Sequence, residues 1–168
     1  PLVIVSGQDK VRVMQISGSS NQVQIDGLIL CHGYSYDCVG CGGAGVRISN
    51  ASPSFTNCVF SNNRGSVGGG VWCVAGADPQ FSNCRFTDNS AGDGAGIFVQ
   101  PESDCEFYDC VFERNNADYY GGAVHLYDQA EVMFVNCLFS QNNAERAACI
   151  YSRQASVCEL IGSVCTGN

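Results

Sequence analysis

The sequence predicts an all-β protein folded as a right-handed parallel β-helix of about six coils, each about 26 residues long with three short strands and three turns. The first observation is a repeat, because four cysteines recur at intervals of 26, 26 and 27 residues (84−58, 110−84 and 137−110), and a fixed period of this size is typical of a solenoid. The second is strict alternation of apolar and polar residues, as in Val46-Arg47-Ile48, which indicates strands rather than helices. The third is the Asn, Gly, Ser and Asp residues between these segments, which favour tight turns. The repeat cysteines are Cys58, Cys84, Cys110 and Cys137.

The neighbours of the repeat cysteines recur as well. A Phe stands three residues before each cysteine, a second Phe two residues after it, and an Asn five residues after it. Strand parity places both Phe positions on the inward side, so we expect two columns of stacked rings in the core and a turn lined by Asn amides that bond from coil to coil. The first Phe column is Phe55, Phe81, Phe107 and Phe134, the second is Phe60, Phe86, Phe112 and Phe139, and the Asn ladder is Asn63, Asn89, Asn115, Asn142 and Asn168.

The repeat pattern extends weakly to both ends of the chain, with coils anchored at Ile25 and Leu160. We therefore expect residues 1–168 to form one β-helix segment, and since the pattern reaches both ends we expect it to be part of a longer chain. The one irregularity is a Cys-rich loop at residues 31–41, inserted in the first anchored coil. A zinc site built on its cysteines and His32 has spacing that fits no common finger. A disulfide that joins Cys31 to Cys38 or Cys41 is the preferred interpretation.

Composition narrows the class of protein. The 168 residues are 45% hydrophobic and 14% charged, which is typical of a folded domain, and the net charge of −8 without a basic stripe excludes nucleic acid as a partner. No run approaches the roughly 18 apolar residues of a transmembrane helix. Twelve cysteines favour an oxidising compartment, so we expect an extracellular or cell-surface location.

Two short motifs alternate along the chain. Phe-x-x-Asn occurs, for example, from Phe86 to Asn89, and Gly-Gly-Ala-[Ile/Leu/Val] is complete at residues 121–124. This pattern resembles the repeats of polymorphic outer-membrane proteins, within the wider pectate-lyase-like β-helix superfamily. The resemblance implies the fold and an adhesin or extracellular scaffold. Pectate-lyase relatives that act on polysaccharide carry carboxylates on an outer sheet face, often with calcium and with a basic residue beside them. If this chain acts on polysaccharide, the resemblance implies a similar set of residues.

Three acidic residues occupy one repeat position in successive coils, three residues before the inward Phe: Asp78, Asp104 and Glu131. Stacked carboxylates repel one another, and a divalent cation such as calcium would relieve that repulsion. The alternative is three solvated acids with their side chains splayed apart, and no Arg or Lys completes a catalytic set in this column. Calcium is thus a candidate ligand, and no other cofactor is expected.

Parity also places two apolar columns on the outside of the rod, where a contiguous apolar area indicates a contact surface. The aromatic column is expected to be exposed and to contact protein or sugar rings, unless its rings are merely tolerated on a β surface. The aliphatic column, broken by Arg85, offers no ring to stack on a sugar, so it favours protein packing. The aromatic column is Arg47, Trp72, Phe98, His125 and Tyr151, and the aliphatic column is Ile29, Val59, Val111, Leu138 and Val164.

These features predict a non-enzymatic, extracellular structural or adhesive module that docks through its outward apolar columns onto copies of itself or another protein, as in a surface filament or adhesin. The alternative is a β-helix that binds or cleaves polysaccharide through the acidic column or the Trp72 stripe. Asn50 lies in an Asn-Ala-Ser sequon, and it would be glycosylated only in a eukaryotic secretory route.

Overall fold

The structure is a computed structural model that describes residues 2–18, 23–36 and 41–168. These residues contain short β-strands and turns, and they form no helix that could cross a membrane. The strands in chain order are β1 (Val3–Ser6), β2 (Met14–Ser17), β3 (Gln24–Asp26), β4 (Leu28–Cys31), β5 (Tyr34–Ser35), β6 (Val46–Ser49), β7 (Ser54–Thr56), β8 (Val59–Ser61), β9 (Arg64–Val67), β10 (Val71–Val74), β11 (Gln80–Ser82), β12 (Arg85–Thr87), β13 (Ser90–Asp93), β14 (Ile97–Val99), β15 (Asp104–Tyr108), β16 (Val111–Glu113), β17 (Asn116–Tyr120), β18 (Val124–Tyr127), β19 (Glu131–Val135), β20 (Leu138–Ser140), β21 (Ile150–Arg153), β22 (Val157–Ile161) and β23 (Val164–Thr166).

Among the described residues these strands assemble into the four parallel sheets of a β-solenoid. Sheet A has the order β1-β4-β8-β12-β16-β20-β23, and sheet B the order β2-β6-β10-β14-β18-β21. Sheet C is β3-β7-β11-β15-β19-β22, and sheet D is β5-β9-β13-β17. The predicted all-β solenoid is confirmed, but four of the described coils have a fourth strand, in sheet D, where three strands per coil were expected. Its segments, such as Arg64–Val67, are rich in small and polar residues and lack the alternation that reveals a strand.

The core consists of the two predicted Phe columns. Phe55, Phe81, Phe107 and Phe134 are fully buried, and their successive ring centroids are 5.1, 4.9 and 4.8 Å apart in stacked geometry. In the second column the corresponding distances are 4.7, 4.5 and 4.9 Å. Rings of the two columns meet edge to face, the other favourable arrangement of aromatic pairs. The 26-residue period therefore places equivalent side chains directly above one another.

The Asn ladder is a buried column of amides, as Asn115 illustrates. Its Oδ1 accepts hydrogen bonds from the backbone N and the Nδ2 of Asn89, at 3.2 and 3.0 Å. Its Nδ2 donates to the carbonyl of Phe86 at 2.9 Å and to Oδ1 of Asn142 at 3.0 Å. The left-handed backbone at this turn belongs to the preceding residue, Arg114, with φ 52°. The ladder residue supplies hydrogen bonds, and its neighbour supplies the bend.

Sheet D turns back sharply into sheet B in each coil. Gly94, between β13 and β14, has φ 56°, and a Cβ there would lie 2.5 Å from the carbonyl oxygen of Ile97. Only glycine fits such a turn. The turn folds the end of each sheet D strand over the outer side of sheet B, so that the ring centroid of Tyr120 is 5.7 Å from that of His125.

Candidate functional site

The aromatic column of sheet B points outward as predicted, but its central residues are not exposed. Trp72, Phe98 and His125 are 6%, 5% and 2% exposed, whereas Arg47 and Tyr151 are half-buried. The ends of the sheet D strands cover this face, and the ring of Tyr120 lies 4.7 Å from that of Tyr151. The expectation of an exposed aromatic stripe is therefore wrong, because parity gives the direction of a side chain and not what the same coil places over it.

His125 is enclosed by aromatic rings. Its centroid lies 4.8 Å from that of Phe98 and 5.1 Å from that of Tyr151, and both of its ring nitrogens are buried without a hydrogen-bond partner among the described residues. Burial, and to a lesser extent the charge of Arg153, lowers the pKa of His125 to about 4. The imidazole is therefore neutral near pH 7 and acts as part of an aromatic cluster.

The aliphatic column lies on the outer face of sheet A, where register aligns it from one end of the sheet to the other. Ile29, Val59 and Val111 are half-buried, while Leu138 and Val164 are 38% and 54% exposed. The column also includes Ile4, which pairs with Ile29. We call this column the sheet A stripe.

Arg85 interrupts the sheet A stripe between Val59 and Val111, and its charge is paired within a network on the same face. Arg85 contacts Glu113 at 3.1 Å, and Arg114 contacts Glu113 and Asp88, each at 2.8 Å. The hydrogen bond from Arg114 is the main cause that lowers the pKa of Asp88. Two cations and two anions thus form one network without net charge, although the chain carries −8.

The acidic column is assembled on sheet C. Asp104 pairs with Glu131, and the backbone N of Asp104 donates to Oδ1 of Asp78 at 3.2 Å. Burial first, and then the charges of Asp78 and Glu131, raise the pKa of Asp104. A cavity of about 240 Å³ borders Asp104 and Glu131 together with Glu106 and Glu159.

The strands of sheet C contain no Lys or Arg, so the basic residue that the resemblance implies beside the carboxylates is missing from these strands. Within the described ranges, no three His, Cys, Asp or Glu side chains are grouped closely enough to hold a metal ion. The arrangement is that of stacked, mutually repelling acids.

The cysteines divide into buried thiols and disulfides. Cys31 is a buried free thiol, which contradicts its expected part in the loop disulfide, whereas Cys41 is disulfide-bonded. Cys38 lies outside the described residues. A disulfide joins Cys149 to Cys165. The repeat did not predict this bond, because Cys165 holds a repeat position that suggested only a small apolar residue.

The repeat cysteines are core residues, as predicted. Each thiol donates to backbone carbonyls, as Cys84 does to Phe55 at 3.5 Å and to Ser82 at 3.4 Å. Elsewhere in the core, burial raises the pKa of the Cys105 thiol, which keeps it protonated and a poor nucleophile. These thiols pack as apolar side chains.

Two remaining loop features were singled out in the sequence. Asn50 is exposed in a turn with φ 50° after β6, so the acceptor of the sequon is accessible and its glycosylation remains a prediction. In the inserted loop, Tyr34 and Ser35 form β5 and pair with β9. That part of the insertion therefore belongs to sheet D and is not a detached loop.

A groove on the outer face of sheet D was missed by sequence reasoning. It has a volume of about 260 Å³ and is lined by Tyr36, Arg64, Ser90, Ala91, Asn116 and Asp118. Tyr36 donates to Oδ2 of Asp118 at 3.3 Å across 82 residues of sequence. The only signal in the sequence was the irregular insertion that supplies Tyr36.

The stacked sheets and in-register ladders define a parallel β-solenoid whose candidate sites all lie on its outer faces. The sequence profile described as "Right handed beta helix region" matches residues 8–164, and the chain therefore belongs to this family. No curated protein and no solved structure matches the chain.

Proposed function

We propose that the chain is a non-enzymatic structural or adhesive β-helix module of the extracellular space, which docks through the sheet A stripe. The proposed occupant of the stripe is a second copy of this chain. The observation that supports it is an aliphatic stripe along sheet A, interrupted only by Arg85, whose charge is already paired with Glu113.

Charge favours this face over sheet C for self-association. Two copies that each carry −8 repel one another, and sheet C, with Asp78, Asp104 and Glu131 on one column, would add to the repulsion. Sheet A presents aliphatic side chains and a network in which Arg85 and Arg114 balance Asp88 and Glu113. Copies can therefore approach along sheet A with less electrostatic opposition than along sheet C.

The stripe is one residue wide and about 30 Å long, from seven strands spaced about 4.8 Å apart. This is smaller than the roughly 800 Å² per partner of a standard stable interface. We therefore expect a weak, reversible and concentration-dependent association, which tolerates salt because its contacts are apolar.

The test is sedimentation velocity over a range of concentrations for the double variant Val59→Asp/Val111→Asp. The matched control is Thr56→Asp/Ser82→Asp, which adds the same charge on sheet C, in the coil of Val59 and in the next one. We expect the parent and the control to associate and the stripe variant to remain monomeric. A parent protein that is monomeric at all concentrations, or a control that dissociates as fully as the stripe variant, would contradict the proposal.

The competing function is polysaccharide cleavage or binding at the acidic column of sheet C, supported by the cavity beside Asp104 and Glu131. It predicts calcium-dependent depolymerisation of a polyuronate that the variant Asp78→Asn/Asp104→Asn abolishes. Activity of this kind in the parent would overturn the non-enzymatic proposal, and its absence would exclude the enzymatic alternative for that substrate.

A further inference from the structure

The groove on sheet D is a concave site lined by side chains of varied polar chemistry. Its lining comes from four successive coils, with Tyr36 in the first, Arg64 in the second, Ser90 in the third, and Asn116 and Asp118 in the fourth. Arg64 on β9 and Asp118 on β17 are two strands apart, which corresponds to about 10 Å. The site therefore suits a ligand that extends along the axis of the solenoid.

The floor of the groove is made of small residues. Ala91 lines it directly, and at neighbouring Gly92 an added Cβ would lie 2.7 Å from the carbonyl oxygen of Ser66. The exposed ring of Tyr119 lies close by, with a ring carbon 3.9 Å from the position of that Cβ.

One aromatic ring spans the groove. The guanidinium of Arg64 lies over the ring of Tyr36 at 5.2 Å, and the hydroxyl of the same tyrosine reaches Asp118. The charge of Asp118 is the main cause that raises the pKa of Tyr36, so the phenol stays protonated and keeps donating. Tyr36 is 37% exposed, and part of its ring therefore remains open to a ligand.

The polar groups of the groove have unused hydrogen-bonding capacity. Among the described residues, Arg64 forms no ion pair, and the Ser90 hydroxyl has no hydrogen-bond partner. Asn143 donates to Oδ1 of Asn116 at 2.7 Å, which fixes the amide and leaves its Nδ2 as a donor. Asp118 accepts from Tyr36 through one oxygen and retains the other.

This combination is suited to a ligand rich in hydroxyl groups. A guanidinium, an amide, a carboxylate and a hydroxyl can each bond the hydroxyls of a sugar ring, and an aromatic face packs against its C–H groups. A lone Arg beside Asp118 would bind a phosphate poorly because of the carboxylate charge, and the polar lining disfavours a lipid. We propose that the sheet D groove binds a saccharide non-covalently through Tyr36, Arg64, Asn116 and Asp118.

The test is isothermal titration of the full chain with cellobiose and with N,N′-diacetylchitobiose, together with NMR shifts of the tyrosine rings. We expect saturable binding of at least one disaccharide in the millimolar range, as for a shallow site with few contacts. Tyr36→Ala and Asp118→Asn should each weaken it about tenfold, through loss of the ring face and of a charged hydrogen bond.

The matched control is Tyr108→Ala, which removes a half-buried tyrosine from sheet C and should leave the affinity unchanged. Far-ultraviolet circular dichroism of each variant shows that the solenoid is intact. The proposal is overturned if neither disaccharide binds up to about 50 mM, or if Tyr36→Ala and Asp118→Asn bind as the parent does. The groove and the sheet A stripe lie on different sheets, so this result is independent of the self-association test.

Discussion

Replacement of Asn115 by alanine should destabilise the solenoid far more than removal of any exposed amide. The change removes the only hydrogen bond of the Asn89 backbone N–H to a side chain in this buried turn, and a buried donor without a partner costs about 1–3 kcal/mol. The Nδ2 of Asn89, the carbonyl of Phe86 and the Oδ1 of Asn142 each lose one further bond, at about 0.5–1.5 kcal/mol each. We expect a total loss of about 3–5 kcal/mol, since local relaxation recovers part of the sum.

The assay is equilibrium unfolding in urea followed by circular dichroism, with Asn116→Ala as the matched control. Asn116 is the next residue, is exposed, and makes its side-chain bond with Asn143 at the surface, so its loss should stay within about 0.5 kcal/mol. A decrease of less than about 1 kcal/mol in the free energy of unfolding for Asn115→Ala would refute the view that the buried polar groups of this turn depend on the Asn side chains for their hydrogen bonds.

The variant Asn115→Asp separates hydrogen bonding from shape. A carboxylate can still accept the two hydrogen bonds from Asn89, but it has no proton to donate to the carbonyl of Phe86 or to the Oδ1 of Asn142. The folded-state pKa of the introduced carboxyl group in this Asn115→Asp variant should therefore rise above the unfolded value of about 3.9. The deficit of this variant relative to the parent should therefore be smallest below pH 4 and should grow as pH rises through the folded pKa. Unfolding measured at several pH values checks this, and a deficit that shrinks with rising pH would contradict it.

Three further predictions concern the core and its turns. His125 has a folded pKa of about 4, so the free energy of unfolding should fall by up to about 3 kcal/mol as pH drops from 6.5 to 4; His125→Phe should reduce this loss in a series of melting temperatures, and an unchanged slope would exclude His125 as its cause. Phe107 stacks on two rings and Phe55 on one, so Phe107→Leu should lose about 0.5–1.5 kcal/mol more than Phe55→Leu in urea unfolding, and equal losses would argue against a contribution from stacking. Gly121→Ala should lose more than about 1 kcal/mol, because φ is 61° and the methyl group would overlap the carbonyl oxygen of Val124, and a neutral effect would show that the turn relaxes.

The repeat was sufficient to predict the interior of the protein. Phe81 and Phe107 stand one period apart, and parallel strands in register necessarily place them in contact, so spacing and parity together determine the core. The same argument predicted the outward direction of Trp72 correctly. It could not predict that the ends of the sheet D strands cover this residue, because β9 consists of small and polar residues that carry no apolar pattern.

Contacts that depend on departures from the repeat could not be predicted. Tyr36 reaches Asp118 because an insertion in one coil places a ring beside a strand three coils away, and no period relates the two residues. The disulfide between Cys149 and Cys165 spans 16 residues, which is not a multiple of the period. The candidate groove and this disulfide therefore emerge only from the three-dimensional arrangement.

The Asn ladder has a direction, because each amide donates to the oxygen of the next coil toward the C-terminus. The coils that carry a ladder Asn between two others thus make the same hydrogen bonds to the coil before and to the coil after, so that such a coil can be exchanged as a unit. Excision of residues 85–110 would join Cys84 to Val111, which holds the same place in its coil as Arg85. The shortened solenoid would keep both Phe columns. The number of coils in such a chain can accordingly change by duplication or loss in units of one period, without redesign of any junction.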